Sequence, residues 1–199
     1  MTAAADRSIR HDLALRTAQD HQALHTHPWI SSLAGPKLTA HRYMTLLSAY
    51  HAFFLAVEAQ RLKLDAYPAL SLRGPIDALA SDLPAEAKAE PHSVVVDKVC
   101  PDTPPALLGA LYVLHGAGFG AGTLNANVRE VLPLAPREYL ATGVSRELWR
   151  GLVRELNMLE ADPADRDSLI QGAAATFREF GEFVTQYCEM HEPLLSSAV

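Results

Sequence analysis

His21 and His25 stand one helical turn apart, a spacing that sets two imidazoles on one face of a helix. Imidazoles so placed could share a transition metal, or one of them could serve alone as an axial ligand. No third ligand with suitable spacing accompanies them. The chain also lacks the Glu-x-x-His pairs that build a di-metal centre in a helical bundle. His21 continues the stripe Leu13, Thr17, His21 and Leu24, which directs it into the interior. There it is either a hydrogen-bonded core residue or a ligand.

A second unusual feature is the stretch Ala106–Val128, ALLGALYVLHGAGFGAGTLNANV, which contains no Lys, Arg, Asp or Glu. Gly109, Gly116, Gly118, Gly120 and Gly122 interrupt it, and each interior glycine costs a helix about 1 kcal/mol relative to alanine. Three explanations compete. Gly-x-x-x-Gly pairs allow close helix packing, and uncharged runs of this length can cross a bilayer. Against a membrane span stand His115, Asn125 and Asn127 and the lack of flanking positive charge. In the third explanation a flat ligand lies against a backbone stripped of side chains.

Arg146, Arg150 and Arg154 follow at i, i+4, i+8. They form either a solvated face paired with Glu147 and Glu155 or a mouth that grips carboxylates. An inward histidine, a side-chain-poor helix and a basic rim together describe a haem slot, with iron ligand, macrocycle wall and propionate anchors.

The elements that must position these residues are helical. The 199 residues are 49% apolar and 20% charged, which suits one domain, residues 1–199, with a substantial core. Apolar periodicity predicts a first helix over about Ser8–His25. A second begins at the cap candidate Thr39 and carries Tyr43, Leu46, Leu47, Tyr50, Phe53, Phe54 and Val57 on its buried face. A short helix is expected near Pro75–Leu83, then a connector to Pro105. A long helix should span about Pro105–Glu130, followed by a Pro-rich turn at Leu132–Pro136. Ser145 should cap a helix to Glu160, with Leu148, Leu152, Leu156 and Leu159 on one face. After the cap Asp162-Pro163, the last helix should bury Leu169, Ile170, Ala173, Phe177, Phe180 and Val184. An all-α bundle is the expected fold.

Charge and cysteine usage narrow the function classes. The net charge of −6 speaks against nucleic acid or an anionic membrane as partner. Cys100 and Cys188 are too few for a disulfide framework and fit a reducing compartment. The opening MTAAADRSIRHD has no apolar run of a secretory signal, so a cytoplasmic location is expected.

The segment Leu13-Ala-Leu-Arg-Thr17-Ala-Gln-Asp-His21-Gln-Ala-Leu24 resembles the L-x-x-x-T-x-x-x-H-x-x-L segment of bacterial haem oxygenases. Tyr43 through Tyr50, with Phe53, Phe54 and Glu58, is similar to that family's second helix. Arg73 and Asp82-Leu83 fit its following R…D-L. The run Leu108-Gly-Ala-Leu-Tyr112-Val-Leu-His-Gly116-Ala-Gly-Phe-Gly120-Ala resembles its distal helix. Trp149-Arg150 and Ala174-Ala-Thr-Phe177 resemble its later signals.

The resemblance implies a haem oxygenase-like bundle, with haem as cofactor and substrate held between the first, proximal helix and the kinked, Gly-rich distal one. Ring opening would yield biliverdin, carbon monoxide and iron. It implies His21 as iron ligand, with Thr17, Gly116, Phe119, Gly120, Arg150, Arg154 and Phe177 against the cofactor. Gly116, Ala117 and Gly120 would form the catalytic wall. Electrons would come from an external ferredoxin or reductase, since no flavin or nicotinamide motif is present, and a biliverdin-using phytochrome is a conceivable partner. The departures from the family pattern are His25 for a carboxylate, His115 for the motif's Glu and Ala117 for its Ser or Asp. The first replaces a carboxylate that tunes the proximal histidine; the other two remove side-chain anchors for distal water and leave open whether His115 faces the pocket. Two other readings are a noncatalytic haem carrier or sensor, and a haem-free bundle of the thiaminase type. The latter needs a cysteine with an acidic partner, which neither Cys100 nor Cys188 has in a matching motif.

Overall fold

The computed structural model describes residues 8–87, 101–159 and 162–191. Most of the connector expected before Pro105, with Cys100, lies outside these residues, as does Glu160. All regular structure in the described residues is helical, and no strand occurs among them. The helices are α1 (Ile9–Arg16), α2 (Ala18–His25), α3 (Ala40–Lys63), α4 (Arg73–Asp82), α5 (Pro104–Gly116), α6 (Ala121–Val131), α7 (Glu138–Thr142), α8 (Arg146–Met158) and α9 (Pro163–His191).

Helix starts follow the sequence chemistry. Thr39 Oγ1 accepts the Arg42 N–H at the head of α3, and Ser145 Oγ accepts that of Leu148 at the head of α8. At α5, Thr103 accepts from Ala106, and Pro104 and Pro105 occupy the first turn, where a missing N–H costs nothing. Asp162 Oδ1 accepts the Ala164 N–H at 2.8 Å before α9.

The core is one connected cluster around α3, α5 and α9. The expected α3 stripe is buried throughout, as are Leu169, Ile170, Ala173, Phe177, Phe180 and Val184 of α9. α5 lies along α9, while α3 packs on α4 and α9. α8 packs on α1, α5 and the Pro68–Leu70 turn.

α3 ends in a tight turn that places Asp65 and Tyr67 in the left-handed region, with φ of 48° and 50°. A largely buried ion pair holds that turn: Arg61 donates to Glu58 at 2.8 and 2.9 Å and to the Ala66 carbonyl. Glu58 also accepts from Ser71 and from the Leu72 N–H. Burial alone would raise the Glu58 carboxyl. Those hydrogen bonds and the Arg61 charge outweigh it and hold the group below its ordinary value.

The structure departs from the sequence reading in several places. The expected first helix is divided at Thr17, whose φ of −103° and ψ of 3° end α1 and start α2. The expected long helix is also divided. Ala117–Phe119 forms a 3-10 turn, and the segments on either side are bent by 48°. A kink is what the family resemblance implied. The short helix begins at Arg73, before Gly74, rather than at Pro75.

Helix α7 was not foreseen. The buried carboxylate of Asp82, remote in sequence, builds it by accepting the N–H groups of Glu138 and Tyr139 at 2.7 and 2.9 Å. No single helix among the described residues is long and apolar enough to cross a membrane. α5, the most apolar segment, is buried almost throughout within the bundle.

Candidate functional site

The joint at Thr17 lies one turn before His21. The Thr17 hydroxyl and N–H both donate to the Leu13 carbonyl, which satisfies the joint and buries Thr17. Beyond it, α2 contributes no buried residue. His21 was expected to point inward along a continuous stripe. Its side chain is exposed instead. Its ring meets Phe177 of α9 edge-on at 5.5 Å and His25 at 4.6 Å, and neither imidazole has a hydrogen-bond partner among the described residues. Partial burial, and then the neighbouring His25, lower the His21 pKa below its ordinary value. At neutral pH it therefore presents an uncharged ring with a free lone pair.

His27 braces this region. Its Nδ1 accepts the N–H groups of Trp29 and Ile30, so the proton sits on Nε2, which donates to Thr185 Oγ1 at 2.8 Å. The short 3-10 turn Ile30–Ala34 that follows touches both α2 and α6. Asn127 of α6 donates to the Leu33 carbonyl within it at 2.8 Å.

The glycines of the uncharged stretch divide by role. A Cβ on Gly109 would overlap the Leu169 carbonyl and lie 2.6 Å from the Ala173 nitrogen. Gly172, opposite, is closed in the same way by Ala106. Close helix packing therefore explains Gly109. At Gly116 and Gly122, by contrast, a Cβ would meet nothing within 4 Å, and at Gly120 only the Ala117 carbonyl at 3.8 Å. Gly118 belongs with the packed class, since its Cβ would lie 2.6 Å from the Val144 side chain. Ala117 and Phe119 are exposed, and Phe119 stands edge-on to Trp149 at 4.7 Å.

The remaining feature is an open cavity of about 600 Å³ between α1 and α8, lined by Arg10, Glu147, Trp149, Arg150, Val153 and Arg154. Among the described residues none of Arg10, Arg146, Arg150 or Arg154 forms an ion pair, so the expected pairing with Glu147 and Glu155 is not made. Guanidinium groups exposed beside an indole can bind a carboxylate-bearing, partly apolar ligand. His21 and Gly116–Gly120 are not in this cavity's wall. The structure thus brings His21 together with Phe177, and Arg150 with Arg154, as two separate groups.

One residue escaped the sequence reading and another was left open by it. Arg10 has no periodic relation to Arg150 and Arg154, so nothing local links it to their cavity. His115, which could have faced the pocket, is 5% exposed and turned away from it, donating from Nε2 to the Leu70 carbonyl at 3.0 Å. Burial lowers its pKa, only partly offset by that carbonyl and by Glu58. Among the described residues no group of His, Cys, Asp and Glu side chains could by itself enclose a metal ion.

No protein-family model matches the chain, and no curated protein matches it in sequence. Solved structures do match in fold. A haem oxygenase from Leptospira interrogans superposes with a TM-score of 0.71 at 18% identity, covering 90% of this chain and 100% of that one. Haem oxygenase-1 from the cyanobacterium Synechocystis, solved in complex with haem, gives 0.68 at 15% identity, covering 93% and 94%. The chain has the all-α fold of these structures.

Proposed function

We propose that this chain binds haem and opens it oxidatively to biliverdin, carbon monoxide and iron. The observation that carries this reading is the bend at Gly116–Gly120. There, at Gly116 and Gly120, a helix gives up side chains and regularity without the close packing that explains Gly109 and Gly118, in a fold shared with haem oxygenases. The residue types present suit the group, and Phe119, edge-on to Trp149, joins the bend to the arginines' cavity. An uncharged imidazole with no hydrogen bond, an uncovered stretch of backbone and unpaired guanidinium groups are what iron, a flat macrocycle and two propionates require.

In this reading His21 holds the iron, and Phe177 limits the rotation of its ring by edge contact. Thr17 sets the angle of α2 through its bond to Leu13. Arg150 and Arg154, joined by Arg10, anchor the propionates, with Phe119 and Trp149 as apolar wall. Haem, when bound, would supply both the iron that activates dioxygen and the ring that is oxidised. Gly116, Ala117 and Gly120 contribute space and backbone polar groups, and electrons come from a separate ferredoxin or reductase.

One observation favours a second reading, a haem carrier or sensor. His115 is committed to Leu70 and Ala117 has no polar side chain, so neither can steer a proton. Haem titration of wild type and His21→Ala, followed by reductant in air, separates the readings. The enzyme gives a His21-dependent Soret band that decays into biliverdin absorption. A His21-dependent band that survives reduction points to the carrier. If no band forms, haem binding itself is wrong.

A further inference from the structure

Haem binding would use only His21 of the α2 pair, yet His21 and His25 are alike in their freedom. Both side chains are exposed, their ring centroids lie 4.6 Å apart, and neither imidazole has a hydrogen-bond partner among the described residues. The ring planes stand at 87°, so in this rotamer pair the nitrogens do not converge. Both rings are exposed, so each can be reset about its side-chain bonds, His25 without touching the core and His21 by giving up its edge contact with Phe177. At i, i+4 their Cβ atoms are helical neighbours, close enough for two imidazoles to reach one ion. The nearest acid on the helix, Asp20, is already paired with Arg178 at 3.3 Å. Donors at this place are therefore nitrogen rather than oxygen, which suits nickel, cobalt or copper and disfavours magnesium and calcium.

We propose that His21 and His25 together chelate a divalent transition metal ion, with water completing its coordination. The site needs no haem and takes metal on the haem-free protein. If His21 is also the iron ligand, a clause that rests on the function proposed above, metal and haem exclude each other.

Calorimetric titration of the haem-free full chain with Ni²⁺ tests the chelate. One saturable site is expected, lost in His25→Ala and in His21→Ala, and retained in His11→Ala, which removes an exposed histidine from α1. Mg²⁺ should give no binding heat. Adding Ala18→His to His25→Ala sets a second imidazole three residues before His21, again on its face, and should restore binding. Circular dichroism checks that each variant stays helical. Undiminished nickel binding in His25→Ala, or failure of the folded Ala18→His variant to restore it, overturns the chelate. Haem titration of His25→Ala reads the other proposal separately. A Soret band without nickel binding leaves haem and the shared ligand intact. Nickel binding by wild type without any Soret band leaves the chelate standing and removes the haem reading.

Discussion

Gly109 and Gly116 sit on the same helix, two turns apart, and do opposite things. At Gly109 the missing side chain lets α9 approach so closely that backbone meets backbone, with Gly172 returning the contact from the other side. At Gly116, and again at Gly120 and Gly122, the missing side chain leaves backbone that nothing among the described residues covers closely. The first group converts a loss of side-chain volume into dense packing, which stabilises the bundle. The second costs helix stability and returns no packing. A cost of that kind is kept where something outside the chain uses the space, and a haem face is the use proposed above.

Substitutions can break this contrast or refine it. The largest effect should come from Gly172→Ala, whose Cβ would overlap the Ala106 backbone. A loss of about 3 kcal/mol, or failure to accumulate folded protein, is expected from overpacking against groups that cannot rotate away. Chemical denaturation measures it, and an unchanged midpoint would mean that the seam between α5 and α9 is looser than its geometry. Gly118→Ala is intermediate. The Val144 methyl can move, but the Gly143 and Val144 backbone at 3.2–3.3 Å must also give, so about 1 kcal/mol is expected.

Gly116→Ala inverts the sign. With nothing in the way it should gain about 0.5–1 kcal/mol of helix stability while weakening the haem Soret band. Stability gained with haem binding untouched would show that the open backbone is not the ligand's wall.

The smallest effect is a pH slope. The His115 pKa is lowered in the folded protein, so the unfolded chain takes up its proton first. Stability from this group is present above about pH 6.5 and is lost as pH falls through the lowered folded value. His115→Gln should flatten that part of the stability profile below pH 6.5, and an equally steep profile in the variant would assign the slope to other groups.

Local pattern went a long way in this chain. Every stripe residue assigned to α3 is buried, and so are those assigned to α9. The caps Thr39, Ser145 and Asp162 all accept the backbone N–H groups expected of them. These features were legible because helical periodicity and capping depend on residues within four positions of one another. The division at Thr17 was not legible, because a threonine fits either a continuous helix or a joint until its neighbours are known. α7 was hidden for a similar reason, since its first turn is held by Asp82, far away in sequence.

The sequence by itself determined the helical class, the core stripes, and the short set of residues whose types call for an explanation: His21, the glycines from 109 to 122, and the arginines of α8. Tertiary structure alone decided what each of them faces. It closed Gly109 against Gly172, left Gly116 open, turned His115 onto the Leu70 carbonyl, set His21 at the rim and brought Arg10 beside Arg150 and Arg154. The physical reason is range: periodicity reports which side of a helix is wet, whereas the identity of the neighbour across the gap depends on how distant segments dock.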